Sequence, residues 1–183
     1  NKQMKKFIIL LFILGIAYGL YWYKMGSKEM EKVEIAPTVS KPDIANANFL
    51  FEGEKVELKN GRSSTEVLEG SAVTIETSLS GEIVYGDINN DGKNDAISLA
   101  TQSGGGSGLF VYLLAYISGN VEYKSLEAQF LGDRISPESL KIDTNGNIQI
   151  GYLDRRESDP MSAEPTVLVK KTFKYSNGTL EEK

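Results

Sequence analysis

The chain has 183 residues, 40% of them apolar, with 20 Lys and Arg against 25 Asp and Glu and neither His nor Cys. That length is one domain of ordinary size with appendages, and the composition excludes a Ser-His-Asp triad, a Cys-His nucleophile, a thiol redox centre and a zinc site of the usual nitrogen and sulfur ligands. Residues 1 to 26 carry Lys2, Lys5, Lys6 and Lys24 and no acid, leaving 16 basic against 25 acidic residues in the remainder, a balance of −9; such a surface repels phosphate backbones, arguing against nucleic acid as a partner, and suits hard cations.

Residues 7 to 23 read FIILLFILGIAYGLYWY, seventeen residues without a charge between Lys6 and Lys24. As a helix this run is about 25 Å long, near the lower end of what spans a hydrocarbon core of about 30 Å with lysines snorkelling at its ends. Tyr18, Tyr21, Trp22 and Tyr23 gather where the chain would leave the bilayer, the depth that aromatic rings favour. The expectation is a transmembrane signal anchor over residues 1 to 23 with the N-terminus cytoplasmic, so that a single-pass protein of the cytoplasmic membrane carries its C-terminal domain outside. The alternative is a cleaved signal using Ala17 and Gly19 as its small residues, which would release a secreted chain. Residues 24 to 47, with Pro37 and Pro42 and no sustained period, read as a linker.

Residues 48 to 183 are expected to form one mainly β, mostly antiparallel domain, a sandwich or partial barrel of eight to ten strands. Turns are predicted at Asn60-Gly61, Ser118-Gly119-Asn120, Asn145-Gly146 and Asn177-Gly178, since Asn-Gly supplies the positive φ values of tight hairpins. Alternation places Val73, Ile75, Thr77 and Leu79 on one strand face, Ile148, Ile150 and Tyr152 on another, and Val167, Val169, Lys171, Phe173 and Tyr175 on a third. Residues 109 to 117, LFVYLLAYI, are apolar on both faces and read as a central strand covered on both sides. Ser136-Pro137-Glu138-Ser139-Leu140 is the best short helical candidate. The lysines at 170, 171 and 174 suggest either an edge strand over residues 167 to 175 or the solvated face of an inner one.

One loop carries chemistry. In Asp87-Ile88-Asn89-Asn90-Asp91-Gly92-Lys93-Asn94-Asp95, oxygen side chains recur at relative positions 1, 3, 5 and 9, with Gly at 6. Alternate residues let a short loop wrap a cation, position 6 needs a turn that Gly tolerates, and the Lys93 carbonyl at position 7 would point inward. Asp87, Asn89, Asp91, Asp95 and that carbonyl make an all-oxygen set suited to Ca²⁺. Position 12 is Ser98 rather than a bidentate Glu, and strands flank the loop, so this is no EF-hand.

The spacing D-x-N-x-D-G-x-x-D before an apolar strand resembles the calcium loops of FG-GAP repeats in integrin-type propellers and related bacterial modules. A propeller itself does not fit, because the motif occurs once. The wider pattern runs from Gly86-Asp87 to Asp95, through residues 101 to 108 (TQSGGGSG), Leu131-Gly132-Asp133-Arg134-Ile135 and Tyr152-Leu153-Asp154-Arg155, to Pro160-Met161 and Glu164-Pro165-Thr166-Val167. Over roughly residues 55 to 183 it resembles a family of bacterial envelope proteins that pair a signal or lipoprotein leader with one β domain. That resemblance implies an extracytoplasmic location and a calcium-type loop, and brings no established activity.

Together these readings point to a membrane-tethered extracytoplasmic β module, stabilised by one Ca²⁺, that binds or scaffolds at the cell envelope, with the membrane and an envelope protein or glycan as partners. No catalytic residue is assigned. The alternative is a carboxylate-dependent hydrolase acting on an envelope glycan, for which Asp133, Asp154, Asp159 and Glu164 are the available acids. Asp133-Arg134 and Asp154-Arg155-Arg156-Glu157 read more simply as ion-pair networks holding loops.

Overall fold

The computed structural model describes residues 14 to 23, 41 to 68 and 70 to 183. The chain divides into two units, Asn1–Thr38 and Val39–Lys183. In the first, residues 14 to 23 are helical and expose Leu14, Ile16, Leu20 and Trp22. The rest of the expected anchor, residues 1 to 13, and most of the expected linker, residues 24 to 40, lie outside the described residues. Among the described residues no helix is long and apolar enough to cross a membrane.

The second unit is mainly β. After a 3-10 turn at Ile44–Asn46 come β1 (Asn48–Phe51), β2 (Glu54–Glu57), β3 (Arg62–Glu66), β4 (Thr74–Gly86), β5 (Asp95–Gly104) and β6 (Phe110–Ile117). Then follow β7 (Lys124–Ser125), β8 (Gln129–Asp133), β9 (Ser136–Ile142), β10 (Ile148–Asp154), β11 (Val167–Ser176) and β12 (Thr179–Glu182). All strand pairings are antiparallel: a β1-β2 hairpin, a four-stranded sheet in the order β12-β11-β10-β9, and a curled six-stranded sheet β3-β4-β5-β6-β7 in which β8 also pairs with β6.

β6 is the centre of the molecule, as its two apolar faces predict. Val111, Leu113, Ala115 and Ile117 pack with Ile148, Ile150, Tyr152 and Phe173 of the four-stranded sheet, while Tyr112 and Leu114 pack with Ile44, Phe49, Phe51 and Leu58. Two cores therefore share one sheet, and the hairpin covers the face that the four-stranded sheet leaves free. Each fully buried aliphatic side chain contributes about 1.5 to 3 kcal/mol of transfer free energy.

Several expectations need correcting. Among the described residues the strands number twelve, not eight to ten. The extra pair is β1-β2, whose turn places Glu52 and Gly53 at φ 51° and 89°, a left-handed position that Glu seldom occupies. The helical candidate at 136 to 140 is β9, an edge strand, the place in a sheet where Pro137 is tolerated. Of the two readings left open for residues 167 to 175, the structure takes the inner strand, since β12 lies at the edge beyond β11. Residues 42 to 47 are not tether: Pro42, Ile44 and Ala47 are buried.

Among the turns, Asn177-Gly178 forms the expected tight hairpin, with Ser176 opposite Thr179. Asn60-Gly61 has the same left-handed pair of angles, yet the strands it joins enter different sheets. At Asn145-Gly146 the loop is longer: the Gly146 amide donates to the Asp143 carbonyl and the Asp143 amide to the Asn147 carbonyl, so Gly146 supplies the left-handed residue after a type I turn. Ser118-Gly119-Asn120 begins a six-residue connection from β6 to β7.

The curl comes from β4, where pairing with β5 shifts register between Ser80 and Val84 around Gly81, at φ 81°; a bulge of this kind bends the strand and raises its twist. β3 covers only residues 74 to 78 of β4, so the far half of β4 and the outer side of β9 are both open edges. They approach at Gly86, where a Cβ would lie 3.0 Å from Ile142.

The second core yields a prediction at high pH. The Tyr112 hydroxyl, 3.2 Å from Glu52 Oε1, donates to that carboxylate. Burial, and then the Glu52 charge, push its phenol up to about 12. A phenol with a raised folded-state value stabilises the fold fully below about pH 10 and loses that contribution as pH rises through about 12. Alkaline unfolding followed by circular dichroism should therefore fall in that window, and Tyr112→Phe should move its midpoint to higher pH.

Candidate functional site

The predicted loop joins β4 to β5 at the end of both cores. Its register is fixed by Ile88, which is buried in the first core, and by Asp95, which opens β5 with no exposed surface. Asp95 Oδ2 accepts from the amides of Ile88 at 2.7 Å and Asn89 at 3.3 Å, and Oδ1 accepts from the Ser118 amide at 2.6 Å. A buried carboxylate persists only when its oxygens are so satisfied.

The exposed half of the loop is wrapped by its own amides. Asp87 Oδ1 accepts from the Asp91 amide at 3.1 Å and Oδ2 from the Gly92 amide at 2.9 Å. Asn89 Oδ1 also accepts from the Asp91 amide, and Asp91 Oδ1 accepts from the Lys93 amide at 2.9 Å. Gly92 sits at φ 80°, the left-handed turn that position 6 requires, and Asn90 at φ 59°. The side-chain oxygens of Asp87, Asn89 and Asp91 thus cap the amides of one short coil.

Ser118 is the residue that sequence reasoning missed. Its hydroxyl donates to Asp91 Oδ2 at 2.8 Å, its carbonyl accepts from Asn89 Nδ2 at 3.0 Å and its amide goes to Asp95, while the adjacent Gly119 carbonyl accepts from Lys93 Nζ at 2.8 Å. Desolvation pushes the Asp91 carboxyl up, but the Ser118 hydroxyl, the Lys93 amide, Asn89 and the Lys93 charge together outweigh it and hold the group below its usual value. From the far side the β9-β10 turn closes on the loop: a Cβ on Gly146 would lie 2.9 Å from the carbonyl oxygens of both Asp87 and Ile88.

The donor types of the exposed loop, the carboxylates of Asp87 and Asp91 and the amide oxygen of Asn89, are those a hard cation takes, and the Lys93 ammonium is turned away to Gly119. Each carboxylate oxygen has a second lone pair beside the one given to an amide, so amide bonding and metal ligation are compatible. Asp95 departs from the expected set because it is fully buried and its two oxygens already serve three peptide amides. Among the described residues no three acidic side chains are gathered into a metal-holding group, and no buried side-chain nitrogen or oxygen lacks a hydrogen-bond partner.

Three of the four acids weighed for hydrolysis are hydrogen-bonded within loops. Asp133 pairs with Arg134 at 2.9 Å and accepts from the Leu109 amide, and the Arg134 hydrogen bond holds it below the ordinary carboxylate range. Asp154 accepts from the Arg155 amide at 2.7 Å and Asp159 from the Arg156 amide at 3.1 Å. Arg155 ties these loops together through the carbonyls of Ala163 and Asp133. Glu164 is exposed. Compared with protein-family models, with curated proteins and with solved structures, the chain finds no match.

Proposed function

We propose that the chain is a membrane-tethered β module displayed outside the cytoplasmic membrane, braced by one Ca²⁺ at the β4-β5 loop and acting in binding or scaffolding at the cell envelope. The observation that carries the calcium reading is the wrapped loop itself: Asp87, Asn89 and Asp91 turn alternate oxygens into one coil that Ile88, Ser118 and Gly146 hold in place. Asp87, Asn89, Asp91 and the Lys93 carbonyl would hold the ion, with Asp95 behind them. An ion there offsets the repulsion of carboxylates a few Å apart. The role is structural, because a loop clamped between strands has no second packing to switch into. The tether rests on the charge-free run at residues 7 to 23 and its aromatic end.

Extracellular calcium modules bind at about 10⁻⁴ to 10⁻³ M. At millimolar Ca²⁺ and a Kd of about 10⁻⁴ M, mass action adds about 1.4 kcal/mol, which raises Tm by roughly 3 to 6 °C. Chelator should remove that increment and Mg²⁺ should restore it poorly, since Mg²⁺ demands a tighter octahedron and dehydrates reluctantly. Asp87→Ala should abolish the calcium-dependent part. Identical melting with calcium and with chelator, together with a flat calorimetric titration, would overturn the metal. The tether is tested separately by fractionation: the full chain should sediment with membranes, whereas a chain starting at Val39 should stay in the supernatant.

A further inference from the structure

The outward face of the four-stranded sheet carries a recess of about 210 Å³. Register supplies its walls. On β10, Gln149 stands opposite Lys141 of β9 and Thr172 of β11, and Gly151 stands opposite Ser139 and Lys170. Ile148, Ile150 and Tyr152 point into the core, so these alternate positions all face out. Gly151 brings no side chain to the middle of an inner strand, and the recess opens over it; a Cβ there would lie 2.9 Å from Ser139 Oγ.

What lines this recess is unlike the rest of the surface. Its lining takes in three lysines, Lys141, Lys170 and Lys171, with a carboxamide and two hydroxyls and no carboxylate, although residues 27 to 183 stand at −9. Lys171, alternating to the other face, is engaged with Glu182 at 2.9 Å. Lys141 and Lys170 enter no ion pair among the described residues. Asp143 at the end of β9 is occupied with its own turn, and its Oδ2 accepts from Gln149 Nε2 at 3.1 Å. The Cα atoms of Lys141 and Lys170 are two strand spacings and two residues apart, about 12 Å, so both flexible side chains can close over one ion at Gly151.

We propose that this recess binds a tetrahedral oxyanion, the phosphate or sulfate group of an ester. Arginine's planar fork is what matches a carboxylate, and none is present; lysines are compact point charges that suit an anion with oxygens on every side. Ser139 and Thr172 add hydroxyl donors, while the Gln149 carboxamide is tied to Asp143, and the bare Gly151 lets the anion approach the strand.

The test is an amide NMR titration of the full chain in mild neutral detergent, calcium-free, with chloride at matched ionic strength as control. Inorganic phosphate should shift the amides of Ser139, Gly151 and Thr172 with a Kd of about 1 to 10 mM, typical of a small exposed ionic site. The Lys141→Ala/Lys170→Ala double variant, altered only at exposed positions, should keep its Tm and raise Kd at least about fivefold, as expected when two charge-assisted bonds are lost. Gly151→Ala combined with Ser139→Ala, which fills the recess while relieving the contact, should weaken binding as well. Tighter binding of a short-chain phosphatidylglycerol than of glycerol 3-phosphate identifies a lipid headgroup as the source, and the reverse a soluble phosphate ester. No shift at these amides, an equal shift with chloride, or wild-type affinity in the double variant overturns the proposal. The double variant should retain any calcium-dependent change in Tm, so this result and the calcium test stand apart.

Discussion

Asp95→Ala is expected to destabilise the domain by about 3 to 5 kcal/mol, because it strips the acceptor from three amides that the fold has withdrawn from water, at about 1 to 3 kcal/mol for each donor left unpaired. In a domain of this size that is a fall in Tm of roughly 10 °C or more. The loss should be the same in chelator and in calcium, since the Ile88, Asn89 and Ser118 amides are bonded to Asp95 itself. Asp95→Asn, which keeps one acceptor oxygen but turns an NH₂ toward an amide, should fall between. Asp87→Ala, by contrast, lies at the exposed side of the loop and should change little once calcium is removed. Thermal melts of the three variants with and without chelator separate the residue that builds the loop from those that would hold an ion. An Asp95→Ala chain that melts like wild type in chelator would contradict this assignment.

The second expectation concerns consecutive residues. Leu113 and Leu114 are both fully buried but lie in different cores, Leu113 against the four-stranded sheet and Leu114 against the β1-β2 hairpin. Each truncation to Ala should cost about 3 to 4 kcal/mol, the usual result where a core cannot collapse into the space. Equal costs would establish by urea melts that the hairpin layer is packed as firmly as the larger sheet; a Leu114→Ala cost below about 1 kcal/mol would mean the hairpin is a loose cover. The faces share no contact partners, so the double variant should lose close to the sum. That is most of the 5 to 15 kcal/mol a domain ordinarily has.

The parts of this fold legible in the sequence are those where one strand's burial decides its composition. β6 reads as central because both faces are apolar, and β10 reads correctly because Ile148, Ile150 and Tyr152 keep strict alternation. What depends on distant chain stays hidden. That β11 is inner rests on β12, a four-residue strand brought back by the Asn177-Gly178 turn. β9 reads as a helix start because Ser, Pro and Glu favour one locally, and only pairing with β10 overrides that preference. At the loop, spacing predicts the wrapping of Asp87, Asn89 and Asp91, whereas the bonds from Ser118 span 23 to 29 residues and leave no local signature. For the same reason Asp95 looks like a ligand in the sequence: its bonds from Ile88 and Asn89 are local, but the one from the Ser118 amide emerges only once β6 lies beside β5.

The uncovered edges of β4 in the curled sheet and of β9 in the four-stranded sheet bear on what happens when many copies crowd together. A bare strand edge is a template on which another chain can add a strand, and crowding turns such templates into fibres. Here the edge of β9 presents Pro137, which has no amide to offer, beside Glu138, while β4 presents its bulge at Gly81 beside Glu82. An incoming strand meets a broken donor row and a like charge at each place. The irregularities that make these strands harder to recognise in the sequence therefore also keep their edges from knitting copies of the domain into one continuous sheet.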